Sequence, residues 1–538
     1  MNERSFQKQT FLQGTAILAL GTVLVKLIGF LFKTPLNSII GSTGFGYFNT
    51  AYTVYNVLLM ISTTGLPVAM SRMISEAQTL GNHAQIRRIF RTALYAFLTI
   101  GILGTAGMLL FSRQLSVMVT TNENSWAAIA ALAPCVLFIC LISAYRGFFQ
   151  GQSNMTPTSV SQVLEALTRL LVGLGLAWLV MKKTGSIVLA AGGAILGVTC
   201  GCLVSAIYLH LRYRRASRLL TGAEGTEKST RATMKELLAI AVPITIGSAG
   251  LQIINLFDTM IYMRRLTGAL AWSTAAADSA KGVYDFCQTV FALPCAFIPT
   301  ITVACIPAIT AFLTKKDAAG ARATGESAFR TMALIAMPCA AGLALLAEPI
   351  LRLLCPGYSA QELALGTPML CILGAAVIFN SLVLLLNAVM QAHGNVTTPV
   401  VNMFLGGLVK IAVNYVLVGL PEVNIIGAPV GTLACYVTIT LLNLWALRRE
   451  QIELSVFRNL VRPFLAAGIM GAATWMVYRV LSAYLPSFRI AFLLSLVFAV
   501  VVYAVLAVAL RCITYEDCML LPKGEKIAKL LRIKEKNE

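Results

Sequence analysis

Apolar runs of about 20 residues recur from one end of the 538-residue chain to the other, and each is long enough to cross a bilayer as a helix. Only 12% of the residues are charged, whereas a soluble domain is about a quarter charged. Strands that span a membrane alternate apolar and polar residues over roughly ten positions, and these runs do not. The sequence therefore predicts an all-α polytopic membrane protein.

We count 14 apolar spans in the sequence, joined by short connections. None of the connections is long enough to form a soluble domain. The spans cover approximately residues 11–33, 45–71, 90–112, 126–149, 157–181, 186–211, 236–263, 283–312, 328–352, 367–390, 397–420, 425–447, 459–482 and 488–511.

An internal repeat links the two halves of the chain. The stretch YRGFFQGQSNMTPTSVSQVLEALTRLLVG, across spans 4 and 5, returns faintly as AVMQAHGNVTTPVVNMFLGGLVKIAVNYVLV, across spans 10 and 11. At an offset of about 241 residues, Gln150 matches Gln391 and Arg169 matches Lys410. Six spans separate the copies, so both have the same topology, as in a parallel repeat.

The repeat predicts two pseudo-symmetric six-helix lobes followed by two C-terminal helices. A basic, Gly- and Ser-containing stretch between the lobes has the composition of a mobile cytoplasmic linker. The predicted segments are 1–211 for the N-terminal lobe, 212–235 for the linker, 236–450 for the C-terminal lobe, 451–511 for helices 13 and 14, and 512–538 for a basic tail.

The net charge of +20 would suit a nucleic-acid partner, but the basic residues concentrate in alternate loops. With the N-terminus inside, about 27 Lys and Arg lie in cytoplasmic segments and about 10 outside. This distribution predicts a multi-pass protein of the cytoplasmic membrane with both termini cytoplasmic, and no nucleic-acid partner. The basic tail is expected to contact anionic membrane lipids.

Motifs for catalysis are absent from the sequence. The three histidines form no His-Glu-x-x-His set, and no phosphate-cradling Gly-x-x-x-x-Gly-Lys-Ser/Thr loop occurs. The 13 cysteines are scattered through apolar runs without a Cys-x-x-Cys pair. We therefore predict no enzyme activity, no metal site and no organic cofactor.

The first candidate site is a set of basic residues within or near the ends of apolar spans. If spans 1, 2, 7 and 8 line a cleft between the lobes, these side chains surround one cavity. Such a cavity attracts an anion such as a diphosphate through charge-assisted hydrogen bonds. The alternative, weakest for the deeper Lys26, is that the side chains snorkel to lipid headgroups. The set comprises Lys26, Lys33, Arg72, Arg264 and Arg265.

The second candidate site would couple transport to an ion. Asp258 lies late in span 7, and Lys410 and Asn414 lie one helical turn apart on span 11. A carboxylate and an amide oxygen are suitable ligands for Na⁺, and Asp258 is also a candidate H⁺ carrier. The alternative is that Asp258 forms a structural bridge with Lys410 or Arg264, because buried charges usually pair.

The third constellation combines Arg146 and Gln150 with Glu165 and Arg169. Glu165 and Arg169 are four residues apart on span 5, a spacing that allows an intrahelical ion pair. Structural bracing of the N-terminal lobe is favoured over substrate binding for this group.

The motif RG-x-FQG-x-x-x-MTPT-x-x-SQ-x-x-E, at Arg146 to Glu165, resembles the stage V sporulation protein B and polysaccharide-biosynthesis transporter family. This family belongs to the multidrug/oligosaccharidyl-lipid/polysaccharide exporter superfamily and is related to lipid II flippases. Further matches are KLIGFLFKTPL, LPVAMSRMISE, DTMIYMRRL and KIAVNYVLV.

The resemblance implies a flippase that moves an undecaprenyl-diphosphate-linked sugar, such as lipid II, by alternating access. It also implies cell-wall synthesis enzymes as partners and a role in sporulation or growth. Span 2 reads NVLLMISTTG, without the arginine pair of one branch of lipid II flippases. A cation-coupled multidrug exporter of the same superfamily is the alternative function. A membrane scaffold or receptor is a third hypothesis, but the sequence has no extramembrane domain to support it.

Overall fold

The structure is a computed structural model that describes residues 11–218, 228–452 and 454–512. Within these ranges the chain is almost entirely helical and contains no strand. The helices are α1 Phe11–Thr63, α2 Gly65–Thr79, α3 His83–Leu110, α4 Ser112–Thr120, α5 Trp126–Gly151, α6 Thr156–Thr184, α7 Ile187–Arg218, α8 Thr230–Ala269, α9 Thr274–Cys295, α10 Ile298–Thr314, α11 Ala318–Leu345, α12 Ala347–Leu354, α13 Ala360–Ala392, α14 Thr397–Leu417, α15 Gly427–Arg449, α16 Val456–Tyr484 and α17 Phe488–Ala509.

Twelve of the described helical stretches are long and apolar enough to cross a membrane. Their outer faces carry large apolar side chains, such as Val497 and Val500 on α17, which are more than half exposed. Apolar surfaces of this extent require a lipid environment. The prediction of an all-α multi-pass membrane protein is confirmed, whereas the predicted number of 14 spans is not.

The difference in number has two local causes. Predicted spans 1 and 2 fall within one helical stretch, Leu20–Thr79. Predicted span 8 is divided at residues 296–297, between α9 and α10. Pro294 and Pro299 flank this division, and proline cannot supply the backbone N–H that a continuous helix needs.

Helix α1 is interrupted at Gly41, whose φ of 68° and ψ of 179° are not helical. This backbone region is essentially restricted to glycine. A straight helix of 53 residues would be about 80 Å long, more than twice the thickness of the hydrocarbon core. The break at Gly41 divides α1 into two segments, which can therefore run in different directions.

The predicted repeat has a structural counterpart in two turns. Helix α5 ends at Gly151 and α6 begins at Thr156, and 241 residues later α13 ends at Ala392 and α14 begins at Thr397. In the first turn the Asn154 N–H donates to the Phe149 carbonyl, at 3.0 Å. In the second turn the matching bond, from Asn395 to Met390, is also 3.0 Å. The turns are therefore alike in both sequence and hydrogen bonding.

The chain packs into two compact units. The first contains Met1–Phe286 and Gly419–Ile425, and the second contains Cys287–Val418 and Ile426–Glu538. The units are defined by packing, whereas the predicted lobes are defined by the internal repeat. The predicted lobe boundaries therefore stay a prediction.

The predicted linker 212–235 is shorter than expected. Residues 212–218 continue α7, and residues 230–235 begin α8, because the arginines there are good helix formers. Residues 219–227 of the linker and residues 513–538 of the predicted tail lie outside the described part of the chain.

Candidate functional site

A polar pocket of about 250 Å³ lies inside the first unit. Two of its lining residues are basic, and no acidic side chain is among the described residues that line it. Keeping a basic side chain within a membrane helix costs roughly 2.5–3.5 kcal/mol, so such residues usually have a function. The lining consists of Gly29, Phe32, Lys33, Phe48, Asn49, Tyr52, Asn56 and Arg169.

The break in α1 makes this pocket possible. Lys33 precedes Gly41 and Asn49 follows it, yet both line the same pocket. In a continuous helix these two residues would be about 24 Å apart along the axis. The change of direction at Gly41 therefore brings the two segments of α1 around a common space.

Aromatic rings hold the basic side chains in place. The Arg169 guanidinium carbon lies 5.8 Å from the centre of the Phe32 ring, and the Lys33 Nζ lies 5.9 Å from the centre of the Phe45 ring. Contacts of this kind stabilise cations at low water content. The Phe32 and Phe48 rings pack with their centres 5.7 Å apart.

Arg169 begins a five-residue π-helical turn, Arg169–Gly173, within α6. Its guanidinium interacts electrostatically with Tyr52 and Glu165. The Nε atom of Arg169 is buried without a hydrogen-bond partner among the described residues. π-Helical turns occur frequently at functional sites, and here the turn begins at the basic residue that lines the pocket.

Helix α9 brings further charges close to Lys33. The Lys281 side chain is 1% exposed, and its ammonium pairs with Asp285, one helical turn away, at 2.5 Å. Asp285, Arg169 and Lys281 all interact electrostatically with Lys33. The Asp285 carboxylate is therefore shared between two lysines.

Hydrogen bonds join the start of the second α1 segment to α9. The hydroxyls of Ser42 and Ser279 are 2.8 Å apart, and the Lys281 ammonium donates to the Gly46 carbonyl at 3.5 Å. The buried Asp278 carboxylate accepts hydrogen bonds from the Asn122 amide, at 2.9 and 3.2 Å. These contacts fix the position of α9 beside the pocket.

Of the five residues in the predicted cationic set, Lys33 is the one that lines this pocket. Lys26 is exposed two helical turns earlier on α1, and Arg72 and Arg264 are also exposed. Arg265 is half-buried, and its guanidinium packs against the backbone at Gly419. That all five surround one cavity stays a prediction.

The intrahelical ion pair that the spacing of Glu165 and Arg169 allows is not the one that forms. Glu165 instead pairs with Arg146 of α5, at 3.3 Å, and these side chains are 23% and 14% exposed. Arg146 also donates from Nε to the Ser161 hydroxyl, at 3.0 Å. This tertiary pairing leaves Arg169 to the pocket, whereas Arg146 and Glu165 connect α5 to α6. Gln150 is half-buried in the last turn of α5.

The candidate ion-coupling residues belong to different units. Asp258 is buried on α8 in the first unit. In the second unit Asn414 is fully buried on α14, and Lys410 is half-buried one turn before it. That the three residues form one cation site stays a prediction.

Sequence reasoning missed Asp278, Lys281 and Asp285. Their spacing of three and four residues places them on one helix face. The predicted span 8 begins at residue 283, however, and leaves Asp278 and Lys281 in a loop. The signal was present in DSAKGVYDF, where a base and an acid at i,i+4 directly precede an apolar run.

These observations define a class of protein: a multi-pass helical membrane protein with a basic pocket inside one unit. The family described as "Polysaccharide biosynthesis protein" matches residues 11–313, which is more than half of the chain. The chain belongs to this family.

Comparisons with individual proteins agree with this membership. The chain is 26% identical to stage V sporulation protein B of Bacillus subtilis (strain 168), over 81% of this chain and 83% of that protein. It is 24% identical to the lipid II flippase MurJ of the same organism, over 88% and 89% of the two chains. A structure of the lipid II flippase MurJ in an inward closed conformation matches with a TM-score of 0.68 and 14% identity, over 94% of this chain and 100% of that chain.

The predicted resemblance is thus confirmed, and the fold is that of the MurJ structure. The chain is thus homologous to a protein described as a lipid II flippase.

Proposed function

We propose that the protein is a flippase that moves an undecaprenyl-diphosphate-linked sugar precursor, lipid II or a related cell-wall or polysaccharide intermediate, across the cytoplasmic membrane. The observation that carries this proposal is the pairing of Lys33 and Arg169 around one pocket inside the membrane helices. An arginine fork can bind a phosphate group through two hydrogen bonds, and a lysine adds a third charged donor.

The proposed cycle begins with capture of the diphosphate from the cytoplasmic leaflet. The two arrangements of an alternating-access transporter then expose the site first to one side and then to the other. The shared Asp285 contributes to release, because it competes with the phosphate for Lys33. Asp258, with Lys410 and Asn414, would couple the cycle to Na⁺ or H⁺. Both termini are proposed to be cytoplasmic, where the basic tail would contact anionic lipids.

A translocation assay with purified protein in liposomes tests this function. We expect Lys33→Ala and Arg169→Ala each to lower the rate of lipid II translocation by roughly 10- to 100-fold, since a hydrogen bond to a charged group contributes about 1.5–3 kcal/mol. Arg113→Ala is the matched control, because Arg113 is an exposed cation on α4 with a 65% exposed side chain. Wild-type rates in both pocket variants would contradict the proposal.

The same assay extends to the wider predicted set. Lys26→Ala and Asp258→Ala are each expected to abolish most of the transport while the protein stays folded in the membrane. Wild-type activity in both variants would remove them from the site.

The alternative of a multidrug exporter is disfavoured by the charge of the pocket. An exporter of organic cations needs a carboxylate facing its substrate, whereas the described lining of this pocket contains two basic residues and none that is acidic. Protection of cells from cationic dyes, without translocation of a lipid-linked sugar, would reverse this choice.

A further inference from the structure

The second segment of α1 presents a row of polar and aromatic side chains to the pocket. Asn49, Tyr52 and Asn56 are spaced by three and four residues and all line it, so they share one helix face. Phe48 lies beside them, with its ring centre 5.1 Å from that of Tyr52. We call Asn49, Tyr52 and Asn56 the polar stripe.

The amides of the stripe have unused hydrogen-bonding capacity. The Asn49 Nδ2 donates to the Phe45 carbonyl of its own helix, at 3.0 Å. Within the described residues, the Asn49 Oδ1 and the whole amide of Asn56 have no hydrogen-bond partner. An amide carries two donors and an acceptor with two lone pairs. These groups line the pocket and can therefore bind a polar ligand that enters it.

The stripe and the basic residues differ in the chemistry that they can recognise. Lys33 and Arg169 provide charged donors, which suit phosphate oxygens. The amides can both donate and accept, which suits hydroxyl and acylamino groups. The Phe48 and Tyr52 rings add apolar faces beside these polar groups. A sugar ring has this combination of polar edges and apolar faces.

We propose that the polar stripe recognises the sugar attached directly to the diphosphate, while Lys33 and Arg169 hold the phosphate. This inference rests on the proposed function and adds a specificity determinant to it. The volume of about 250 Å³ is below the roughly 300–1,000 Å³ of sites for drug-sized ligands. The pocket therefore accommodates the sugar nearest the phosphate and not a whole glycan.

A diphosphate-linked sugar can come from a lipid or from a nucleotide, and the experiment separates these sources. The full chain in nanodiscs is titrated with three probes. They are a short-chain polyprenyl diphosphate, the same lipid carrying one N-acetylhexosamine, and a uridine diphosphate N-acetylhexosamine. Affinities are measured for the wild type, Asn49→Ala, Asn56→Ala, Lys33→Ala and the control Thr53→Val. Thr53 lies on the same segment, outside the pocket lining, and its hydroxyl only caps the Asn49 carbonyl, at 3.0 Å.

The expected result is a separation of the two recognition functions. The wild type should bind the sugar-bearing lipid about tenfold more tightly than the bare lipid, which corresponds to about 1.4 kcal/mol. Asn49→Ala and Asn56→Ala should remove this preference without changing affinity for the bare lipid. Lys33→Ala should weaken binding of both lipids, and Thr53→Val should change neither. Retained binding of the bare lipid shows that the asparagine variants are folded.

Two outcomes would overturn the inference. One is equal affinity of the wild type for the bare and sugar-bearing lipids. The other is that the asparagine variants weaken binding of both lipids equally. Failure of the proposed function gives a different pattern: the wild type binds neither lipid, whereas the uridine diphosphate sugar binds in a manner that depends on Asn49 and Asn56.

Discussion

The two units solve the same packing problem with different chemistry. At the junction of α5 and α6, Arg146 reaches Ser161 and Glu165, at 3.0 and 3.3 Å. An offset of 241 residues places Asn387 at the position of Arg146 and Asn402 at the position of Ser161. The first unit therefore uses an ionic brace where the second unit uses amides.

The amides of the second unit form a connected ladder. Asn443 of α15 accepts from the Asn402 amide and donates to the Asn387 carbonyl oxygen, both at 2.8 Å. The Asn387 amide in turn approaches the Met403 sulfur, at 3.7 Å. All three asparagines are buried. Such a ladder joins helices without adding net charge.

The difference indicates where charge is needed. The charged brace is in the unit that contains the basic pocket. Arg146 forms an ion pair with Glu165, which could otherwise pair with Arg169 one helical turn away. The brace thereby keeps the guanidinium of Arg169 available to the pocket. In the second unit, the equivalent positions hold helices together with neutral groups.

The largest effect is expected from breaking the ionic brace. Arg146→Met removes the bonds from Arg146 to Ser161 and Glu165 and lets Glu165 pair with Arg169 instead. We expect a loss of about 2–3 kcal/mol in the free energy of unfolding, together with slower transport. The equivalent change in the second unit, Asn387→Met, removes one amide bond and should cost about 0.6–1.7 kcal/mol. SDS-induced unfolding in mixed micelles measures both.

The double variant Arg146→Met/Glu165→Met is the control for this prediction. Because it removes both charges, it should recover most of the stability that Arg146→Met loses. It should also restore transport, because no Glu165 carboxylate is then present to pair with Arg169. Equal losses for Arg146→Met and Asn387→Met would show that the two braces do not differ in kind.

A smaller effect is expected within the amide ladder. Asn443→Leu removes two hydrogen bonds and leaves both neighbouring amides unsatisfied, so we expect a loss of about 1–2 kcal/mol. Asn402→Leu removes one bond and should cost about half as much. The same SDS titration ranks these variants.

Replacing all three ladder asparagines with leucine provides the control. No polar group is then left unsatisfied, and the stability should approach that of the wild type. A triple variant less stable than Asn443→Leu would mean that the ladder contributes packing rather than hydrogen bonding.

The apolar runs were sufficient to predict the helices, because a bilayer leaves a helix as the only way to satisfy the backbone of an apolar run of this kind. Lys33 was also predictable, since a lysine within an apolar span is costly unless it faces a protein interior. The repeat was visible because Gln150, Asn154 and Thr156 recur as Gln391, Asn395 and Thr397 at matching positions.

Tertiary choices were not predictable in the same way. Helical spacing alone allows Glu165 to pair with Arg169. The sequence does not show that α5 brings Arg146 to 3.3 Å from Glu165. Glycines in membrane helices often serve close packing, so the sequence did not reveal that Gly41 interrupts α1. The pocket depends on the Arg146–Glu165 pair and on the break at Gly41. Because neither is visible in the sequence, the sequence favours a structural role for Arg169 over a place in the pocket.

The smallest effect is expected at the repeated turn, where Ser153 of the first unit corresponds to Gly394 of the second. Ser153 adopts a left-handed backbone, with φ of 56°, and its counterpart Gly394 has φ of 90°. A non-glycine residue in this region destabilises the folded state by about 1–2 kcal/mol. Glycine avoids this cost, but part of the benefit is lost because glycine loses more conformational entropy on folding. We expect Ser153→Gly to raise the free energy of unfolding by about 0.5 kcal/mol. Gly394→Ser should lower it by about 1 kcal/mol.

A Cβ atom at Gly394 would meet no other atom within 4 Å, so this change reports backbone strain without steric conflict. Opposite signs for the two substitutions in the same unfolding titration would show that the turns are equivalent. A loss of stability on Ser153→Gly would mean that the serine side chain has a role that glycine at the second turn does not replace.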